Sequence, residues 1–282
     1  MMSKILITGA NGQLGTELRK LFDNNQIGYL ATDTNTLDIT NEVAVNEYFD
    51  EHQPTAVFHC AAFTAVDRAE DEDKELNWRV NVEGTEYIAK ASEKYDATLY
   101  YISTDYVFDG ASLEEYLVDS LTNPRNEYGK AKLAGEQAVQ KYSKNHYIIR
   151  TSWVFGEYGH NFIFTMLKLA ETHDKLTVVS DQIGRPTWPK TLADFLVHLY
   201  QNMPEQGIYH LSNDGTCSWY EFASEILKDK EIDVQPVTSE EYPQKAYRPR
   251  HSVMNLDKAK ATGFDIPSWK EALAIFLDTI KI

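Results

Sequence analysis

In the first half of the chain, two patterns of apolar and polar positions alternate. Short continuous apolar runs predict buried strands, and residues spaced three or four apart, such as Leu14, Leu18 and Leu21, predict amphipathic helices between them. A chain that repeats strand, helix, strand forms right-handed crossovers and a parallel sheet covered on both faces. The predicted strands are Lys4–Thr8, Tyr29–Thr32, Ala56–Cys60, Thr98–Ser103 and Tyr147–Thr151.

This alternation predicts an α/β fold with a Rossmann-like, doubly wound parallel sheet over residues 1–150. Flavodoxin-like folds share the alternation, so it does not identify a function. After about residue 150 aromatic residues and Gly/Pro punctuation increase, which predicts a smaller C-terminal α/β domain over residues 151–282, with returns of the chain to the first domain. Its predicted helices are Asn161–Ala170, Trp219–Lys228 and Trp269–Thr279, and its predicted loops are Asp181–Thr187 and Arg248–Arg250.

The charge balance is strongly acidic. The 282 residues include 27 Lys and Arg against 43 Asp and Glu, a formal net charge of −16. An acidic surface repels phosphate backbones and anionic membranes, so neither a nucleic-acid nor a membrane partner is expected. No run of about 18 apolar residues is present to span a bilayer. An anionic nucleotide ligand would need local help from a helix N-terminus or a few arginines.

Two features bear on the cellular compartment. Residues 1–7 run straight into the first predicted strand without a long apolar core or a cleavage site, so no signal peptide is expected. The two cysteines, Cys60 and Cys217, have no metal-ligand spacing, and Cys60 lies in an apolar run. Buried reduced thiols are therefore expected rather than a disulfide, and the protein is expected to be cytoplasmic.

The first predicted strand ends in a glycine-rich segment, Thr8-Gly9-Ala10-Asn11-Gly12-Gln13-Leu14-Gly15. Between a strand and a helix, Gly9 permits a tight turn, Gly12 lets the backbone approach a pyrophosphate, and Gly15 lets the helix pack closely on the sheet. The free N–H groups at the helix N-terminus favour the negative phosphates. A turn that needs glycine only for its backbone conformation would look similar, but the strand–turn–helix context favours dinucleotide binding.

Asp33 follows the second predicted strand, where an acidic residue meets the adenosine ribose hydroxyls. A carboxylate there disfavours the 2′-phosphate of NADP, and no Lys or Arg occurs between Gly28 and Asp38 to compensate. The sequence therefore leans toward NADH and leaves NADPH open. Asp38 and Ile39 either flank the adenine ring or form a simple turn.

Tyr128 and Lys132 open a predicted helix after the fourth strand. Residues four apart share a helix face, so both side chains project into one site. An ammonium beside a phenol lowers the pKa of the phenol, which can then supply a proton to a carbonyl oxygen as hydride arrives at the carbon. Thr104, at the end of the preceding strand, is placed to share that oxygen. The spacing alone is weak evidence, because a chain with 17 tyrosines can match it by chance. The position of the pair, on a helix after the fourth predicted strand, strengthens the catalytic interpretation.

Three features together resemble the extended short-chain dehydrogenase/reductase family: the TGxxGxxG segment, the Ser103-Thr104 pair, and tyrosine and lysine at 128 and 132. Within that family the closer resemblance is to the dTDP-4-dehydrorhamnose reductases. The segments that carry it span nearly the whole chain: Gly12–Gly15, Cys60–Glu70, Tyr101–Gly110, Tyr128–Glu136, Arg150–Gly156, Asn161-Phe162 and Asp181–Thr187.

The resemblance implies reduction of the small-molecule substrate dTDP-4-dehydro-L-rhamnose at C4 to dTDP-L-rhamnose, with Tyr128 as the proton donor and NADPH or NADH as the cofactor. Sugar-nucleotide 4,6-dehydratases place a second acid after the catalytic threonine and aspartate, where this chain has Tyr106; this favours plain reduction. The implied catalytic residues are Tyr128, Lys132 and Thr104. The implied cofactor contacts are Gly9, Asn11, Gly12, Gln13, Leu14, Asp33, Asp38, Ile39, Ala62, Phe63, Thr64, Ile102, Tyr128 and Lys132.

The implied substrate contacts are on both halves of the chain. Thr104 and Asp105 offer hydrogen bonds to sugar hydroxyls, and Trp153 offers either an apolar platform or a core aromatic. Arg248 and Arg250 are conspicuous in so acidic a chain, and we expect at least one to pair with the substrate diphosphate, a surface ion pair being the alternative. The implied set is Val66, Thr104, Asp105, Trp153, Arg248 and Arg250.

Several points stay open at this stage. Some members of the reductase family dimerise through a magnesium ion held by carboxylates, and Glu17 lies at the first such position; an exposed helix glutamate explains it equally well. The sequence commits to no metal and leaves monomer and homodimer open. Two other functions also stay open: a sugar-nucleotide 4-epimerase that retains NAD, and a non-catalytic regulatory subunit resembling the methionine adenosyltransferase β subunit.

Overall fold

The computed structural model describes residues 4–159 and 161–280. The prediction that no signal peptide is present concerns residues 1–7, and residues 1–3 of that segment lie outside the described residues. The strands are β1 (Ile5–Thr8), β2 (Tyr29–Thr32), β3 (Ala56–His59), β4 (Thr98–Thr104), β5 (His146–Thr151), β6 (Lys175–Val179), β7 (Ile183–Gly184), β8 (Gly207–His210), β9 (Cys217–Ser218) and β10 (Asp233–Val237).

The helices surround these strands. Two short 3₁₀ helices, Arg68–Glu70 and Asp105–Val107, and one π-helix, Arg79–Gly84, interrupt the regular pattern. The α-helices are α1 (Gln13–Asn24), α2 (Glu42–His52), α3 (Lys74–Trp78), α4 (Thr85–Lys94), α5 (Glu127–Tyr142), α6 (Phe162–Ala170), α7 (Pro189–Asn202), α8 (Trp219–Ile226), α9 (Asp257–Lys260) and α10 (Trp269–Thr279).

The main sheet has six parallel strands in the order β2-β1-β3-β4-β5-β8. The predicted α/β, Rossmann-like parallel sheet is confirmed, and each of the five predicted strands matches within one residue at either end. The order of the strands reverses at β1, because β2 lies on one side of it and β3 on the other. Ligands of such sheets bind outside the carboxyl ends of the strands at this switch point.

Alternating residues of the central strands face two separate apolar layers. Ile5 and Ile7 of β1 face the layer that contains α1 and α7, and Leu6 faces the layer that contains α2, α4 and α5. The period of two in a strand produces this division, since successive side chains point to opposite faces. Both faces of the sheet are covered, as continuous apolar strands require.

The second half of the chain forms its own apolar cluster around Phe155, Phe222 and Phe276, with α6, α8 and α10. Strands β6 and β10 pair in parallel beside it. Helices α8 and α10 begin at capping boxes, in which Ser218 and Ser268 exchange hydrogen bonds with the glutamates three residues later. The second half also returns to the first: β8 pairs with β5, and α7 packs against α1.

Cys60 and Cys217 are both free thiols; Cys217 is buried, as expected, whereas Cys60 is only half-buried. In the part of the chain that the structure describes, no helix combines the length and the apolar character needed to cross a bilayer.

Candidate active site

The glycine-rich turn connects β1 to α1 at the switch point of the sheet. Gly9 has a φ of +64°, and a Cβ atom there would lie 2.6 Å from the backbone nitrogen of Ala61, in the loop after β3. A Cβ at Gly15 would lie 2.4 Å from the Gly9 carbonyl oxygen. Helix α1 begins directly after Gly12 and carries no acidic residue in its first turn. Its N-terminus is therefore a suitable site for an anionic pyrophosphate.

Asp33 lies beside this turn at the end of β2. Its carboxylate accepts a hydrogen bond of 2.5 Å from Asn11 Nδ2 and further bonds from Asn35 N and Thr36. The backbone N–H of Asn35 is the main reason why the pKa of Asp33 is lowered. The structure thus brings Asn11 and Asp33 together beside the glycine-rich turn.

The loop after β3 carries Ala62, Phe63 and Thr64, and one buried side chain fixes its backbone. Asn81 Nδ2 donates to the Phe63 carbonyl at 2.8 Å, and Asn81 Oδ1 accepts from the Phe63 N–H at 3.2 Å. Asn81 lies in the π-helix, a conformation that often marks functional sites. Asn81 was not predicted from the sequence. Only the π-helix points to it, and the sequence does not reveal that helix.

Helix α5 places Tyr128 and Lys132 in the interior. Asn126 caps the helix by accepting a hydrogen bond from Gly129 N, and its Nδ2 donates to the Tyr247 carbonyl in the second half of the chain. Both catalytic candidates are buried. Lys132 Nζ lies 4.1 Å from the centre of the Tyr101 ring, and burial lowers the pKa of Lys132 to about 7, an effect that nearby Glu136 partly offsets.

The pKa of Tyr128 is raised, whereas the sequence predicted that Lys132 would lower it. Burial is the largest cause, the negative charge of Asp105 adds to it, and the Thr104 hydroxyl partly offsets it. The spacing of tyrosine and lysine indicated only the effect of the ammonium; the burial of the phenol, which the spacing does not reveal, outweighs it. A phenol with a raised pKa is fully protonated at neutral pH, which is the form that a proton donor needs.

Thr104 is the last residue of β4 and Asp105 follows it, both beside Tyr128. The Thr104 hydroxyl donates to Asp105 Oδ1 at 3.0 Å and accepts from the backbone N–H of Tyr106. Burial raises the pKa of Asp105 to about 6, although hydrogen bonds from Ser252 and Thr104 lower it in part. Two polar side chains are thus held, buried, next to the candidate proton donor.

Replacing Asp105 by asparagine is expected to raise the free energy of unfolding at about pH 7, by on the order of 2 kcal/mol. The folded-state pKa of about 6 lies above the ordinary aspartate value of about 3.9, so between these values the folded state binds more protons than the unfolded state. The wild-type protein therefore loses stability as the pH rises through this window, and the variant does not. Urea unfolding of both proteins at about pH 4 and about pH 7.5 measures the difference.

Asp109 provides the matched control, because the backbone N–H of Ala111 lowers its pKa. D109N should therefore show no gain of stability near pH 7. A D105N protein that is no more stable than the wild type at about pH 7.5 would show that ionisation of the buried carboxyl does not destabilise the folded state.

A buried ion pair lies behind the catalytic candidates. Arg150 Nη2 donates to Glu136 Oε2 at 2.7 Å, and only 3% and 2% of the two side chains are exposed. Glu136 also accepts from Ser103 Oγ at 2.5 Å. Glu136 stands one helical turn beyond Lys132 on the same face of α5. Sequence reasoning missed this pair, since nothing in the spacing of positions 136 and 150 links them.

A cavity of about 380 Å³ opens in the second half of the chain. Tyr106 joins it to the catalytic candidates, because its ring meets the Tyr128 ring edge to face with centroids 5.9 Å apart. The cavity is mostly apolar, with a few polar groups, as small-molecule sites usually are. Its lining includes Val66, Tyr106, Phe162, Met166, Trp219 and Arg248.

Trp153 supports this cavity from behind. Its indole stacks on that of Trp219 with centroids 3.8 Å apart, and its φ of +47° is unusual for a large side chain. Such backbone strain concentrates at functional sites. Trp219, which lines the cavity itself, was not among the sequence-predicted residues.

The two conspicuous arginines differ in position. Arg248 lines the cavity, donates through Nη2 to Asp67 Oδ2 at 2.7 Å, and has only 16% of its side chain exposed. Its Nη1 is buried and finds no hydrogen-bond partner among the described residues. Arg250 has 58% of its side chain exposed and pairs with Glu240 at 3.3 Å. Arg248 is therefore the better placed of the two to meet a ligand in the cavity.

Glu17 is buried, so the interpretation as an exposed helix glutamate is wrong. Lys20 Nζ lies 3.3 Å from Glu17 Oε1 and 2.9 Å from Glu157 Oε2. A lysine ammonium thus occupies the space between the two carboxylates, and over residues 4–159 and 161–280 no group of three His, Cys, Asp or Glu side chains is arranged to hold a metal ion. The structure offers no support for magnesium binding at Glu17.

The RmlD substrate binding domain model matches residues 2–282 of this chain. The chain belongs to the RmlD family. It is 43% identical to the spore coat polysaccharide biosynthesis protein SpsK of Bacillus subtilis, with 98% of this chain and 97% of SpsK covered. It is 39% identical to a dTDP-4-dehydrorhamnose reductase of Aggregatibacter actinomycetemcomitans, with 96% and 97% covered.

A crystal structure of dTDP-4-dehydrorhamnose reductase from Bacillus anthracis in complex with NADP superposes with a TM-score of 0.95. The sequences are 39% identical, and the match covers 99% of this chain and all of that one. The resemblance to the reductase family is confirmed.

Proposed function

We propose that this protein reduces the C4 keto group of dTDP-4-dehydro-L-rhamnose to give dTDP-L-rhamnose, with NADPH or NADH as the cofactor. The observation that carries the proposal is the burial of Thr104, Tyr128 and Lys132, with the Tyr128 ring against Tyr106, which lines a cavity of about 380 Å³. The reductase relatives described above support the substrate class, and the NADP complex among them supports the cofactor.

The crevice at the switch point fits a dinucleotide. Gly9 and Gly15 leave no room for a Cβ atom, and the α1 N-terminus is free of acidic residues. When bound, the nicotinamide supplies the hydride. The residues that we assign to the cofactor are Gly9, Asn11, Gly12, Gln13, Leu14, Asp33, Asp38, Ile39, Ala62, Phe63, Thr64, Ile102, Tyr128 and Lys132.

The proton transfer is assigned to Tyr128. Its buried phenol is protonated at neutral pH and donates its proton to the substrate O4 as negative charge develops there. When substrate is bound, the Thr104 hydroxyl, which donates to Asp105 Oδ1 in the structure, donates to the same oxygen instead and stabilises that charge in a low-dielectric site. The Lys132 ammonium stabilises the phenolate that remains. Asp105 accepts hydrogen bonds from the sugar hydroxyls and so orients the sugar.

The nucleoside diphosphate is assigned to the cavity. Arg248 lines the cavity and supplies the positive charge for charge-assisted hydrogen bonds to the diphosphate. Val66 and the stacked pair of Trp153 and Trp219 provide apolar surface. Arg250 is the weaker candidate for this role, because it is exposed and engaged with Glu240.

The test of the function is the absorbance of NADH and of NADPH during incubation with dTDP-4-dehydro-L-rhamnose. Oxidation of either cofactor, with dTDP-L-rhamnose as the product, supports the proposal. Conversion of a dTDP-hexose with no net loss of NADH would instead indicate a 4-epimerase. A folded protein that turns over no ketosugar would favour the regulatory-subunit function.

Replacing Arg248 by methionine should raise the KM for the dTDP-sugar about tenfold or more, because a charge-assisted hydrogen bond to the diphosphate is lost. The kcat should change much less, since the arginine does not touch the reacting carbonyl. Initial rates over a range of sugar concentrations separate the two parameters. R250M is the matched control, with an expected change in KM below about twofold. If R250M raised the KM and R248M did not, the assignment of Arg248 would be wrong.

The proposed activity also bears on location and assembly. A soluble cofactor and a nucleotide-sugar substrate suit a cytoplasmic enzyme that acts on small molecules and not on nucleic acid or membranes, as a monomer or a homodimer. We retain residues 1–150 as the dinucleotide-binding domain and 151–282 as the substrate domain. The product is an activated sugar, the kind of donor that polysaccharide synthesis consumes.

A further inference from the structure

Arg19 lies on α1 and turns back toward the glycine-rich turn. Its Nη1 donates to Asn11 Oδ1 at 2.9 Å and lies 3.5 Å from the Ala10 carbonyl oxygen. Side chains of an α-helix lean toward its N-terminus, so a residue in the second turn of the helix reaches this position without strain. The sequence does not reveal the arginine at the adenosine end of the crevice, because it is far from Asp33 along the chain.

The guanidinium of Arg19 has capacity for a further ligand. Its Nε is buried and has no hydrogen-bond partner among the described residues. The acceptors that it does contact, an amide oxygen and a carbonyl oxygen, are both neutral. Among the described residues this partly buried cation forms no ion pair of its own, although the chain has a net charge of −16 and carboxylates are abundant. An anionic ligand would balance the charge of the guanidinium.

Asn11 connects this cation to Asp33. Its Oδ1 faces Arg19, and its Nδ2 donates to Asp33 Oδ2 at 2.5 Å. The Asp33 carboxylate also accepts from the Thr36 hydroxyl and from the backbone N–H groups of Asn35 and Thr36. These donors disperse the negative charge that would otherwise repel a phosphate. We call Arg19, Asn11 and Asp33 the ribose triad.

We propose that Arg19 is the residue that admits the 2′-phosphate of NADP(H), at a site whose Asp33 alone would select NAD(H). This rests on the proposed function, because it deepens the assignment of the cofactor crevice. Asp33 suits a free ribose diol, and the Arg19 fork suits a phosphate, which it binds through charge-assisted hydrogen bonds. The ribose triad therefore accepts both cofactors, and Arg19 determines how well it accepts the phosphorylated one.

The direct test is binding of two adenosine fragments, 2′,5′-ADP and 5′-AMP, measured by calorimetry on the full chain. Replacing Arg19 by methionine, which keeps most of the apolar stem, should weaken 2′,5′-ADP binding about tenfold or more and change 5′-AMP binding by less than about twofold. R19K should retain part of the preference, because it keeps the charge and loses the fork. An equal loss for both fragments, or no loss for either, would overturn the proposal.

Arg79 provides the matched control, because its Nη2 also donates to a neutral oxygen, Thr40 Oγ1, at 3.0 Å, next in the chain to the cofactor candidates Asp38 and Ile39. R79M should leave the ratio of the two affinities unchanged; a selective loss of 2′,5′-ADP binding in R79M instead of R19M would contradict the assignment. Raising the salt concentration should weaken 2′,5′-ADP binding more in the wild-type protein than in R19M.

The two proposals fail in different ways. If the wild-type protein oxidises NADH or NADPH with the ketosugar and R19M leaves the ratio of kcat/KM for NADPH and NADH unchanged, only the role of Arg19 is wrong. If the folded wild-type protein binds neither fragment and oxidises neither cofactor, the proposed function falls, and the assignment of Arg19 falls with it.

Discussion

Replacing Tyr128 by phenylalanine is expected to lower the kcat for ketosugar reduction by about 10²- to 10⁴-fold, the range that a general acid contributes. The change removes the only atom of the side chain that carries the proton and keeps the ring that packs against Tyr106. Because hydride delivery then leaves an alkoxide without a proton donor, the loss should fall on kcat rather than on substrate binding. Stopped-flow oxidation of NADPH at saturating sugar measures it.

The matched control for this prediction is Y100F. Tyr100 is buried in β4 and stacks between Phe58 and Tyr147, in the layer that contains α1 and α7. Removing its hydroxyl makes the same chemical change outside the site, so the kcat should stay within about twofold of the wild type. NADPH should bind Y128F about as tightly as the wild type. If Y128F retained more than about a tenth of the wild-type kcat, another residue would have to supply the proton.

Replacing Glu136 by glutamine should lower the free energy of unfolding by about 3–5 kcal/mol, the cost of leaving one member of a buried ion pair without its partner. The guanidinium of Arg150 stays in the interior, where only 3% of its side chain is exposed, and loses the carboxylate that neutralises it. Urea unfolding at neutral pH measures the change. Activity should fall as well, because Glu136 also partly sustains the ammonium form of Lys132.

Two further variants test whether burial of the ion pair causes this loss of stability. E225Q breaks the exposed pair of Lys228 and Glu225, whose atoms lie 2.8 Å apart, and should cost less than about 1 kcal/mol. The double variant E136Q/R150M should recover part of the stability, because it removes the unpaired charge. A single E136Q variant that loses less than about 1 kcal/mol would show that Arg150 finds another partner at no cost.

The sequence predicts those parts of the molecule whose signals are local. The strands of the first half are apolar runs bounded by turns, and all five match the structure within one residue. The returning strand β8 was not predicted, because its four residues form no distinct run. Helix α7 was also not predicted, although its buried residues Leu192, Phe195, Leu196 and Leu199 have helical spacing.

The residues of the candidate site also divide into those with a local sequence signal and those without one. Motif residues such as Tyr128 and Lys132 were predicted from a spacing of four, and the structure buries both of them in one helix. Asn81 and Trp219 were not predicted, since each acts through a partner that the fold brings from elsewhere in the chain. Arg19 was not predicted because the sequence does not show that its side chain turns back to Asn11. The direction of the Tyr128 pKa was wrong for the same reason: a charge four residues away is visible in a sequence, whereas burial is a property of the whole fold.

The return of the chain to the first sheet has a consequence for dissecting this protein. Strand β8 covers the edge of β5, and α7 covers the apolar face of α1. A fragment that stopped near residue 150 would expose an unpaired strand edge and a row of apolar helix residues at the same time. Both are surfaces through which chains self-associate. The cofactor half would therefore tend to aggregate if it were expressed alone, even though its nucleotide motifs are complete.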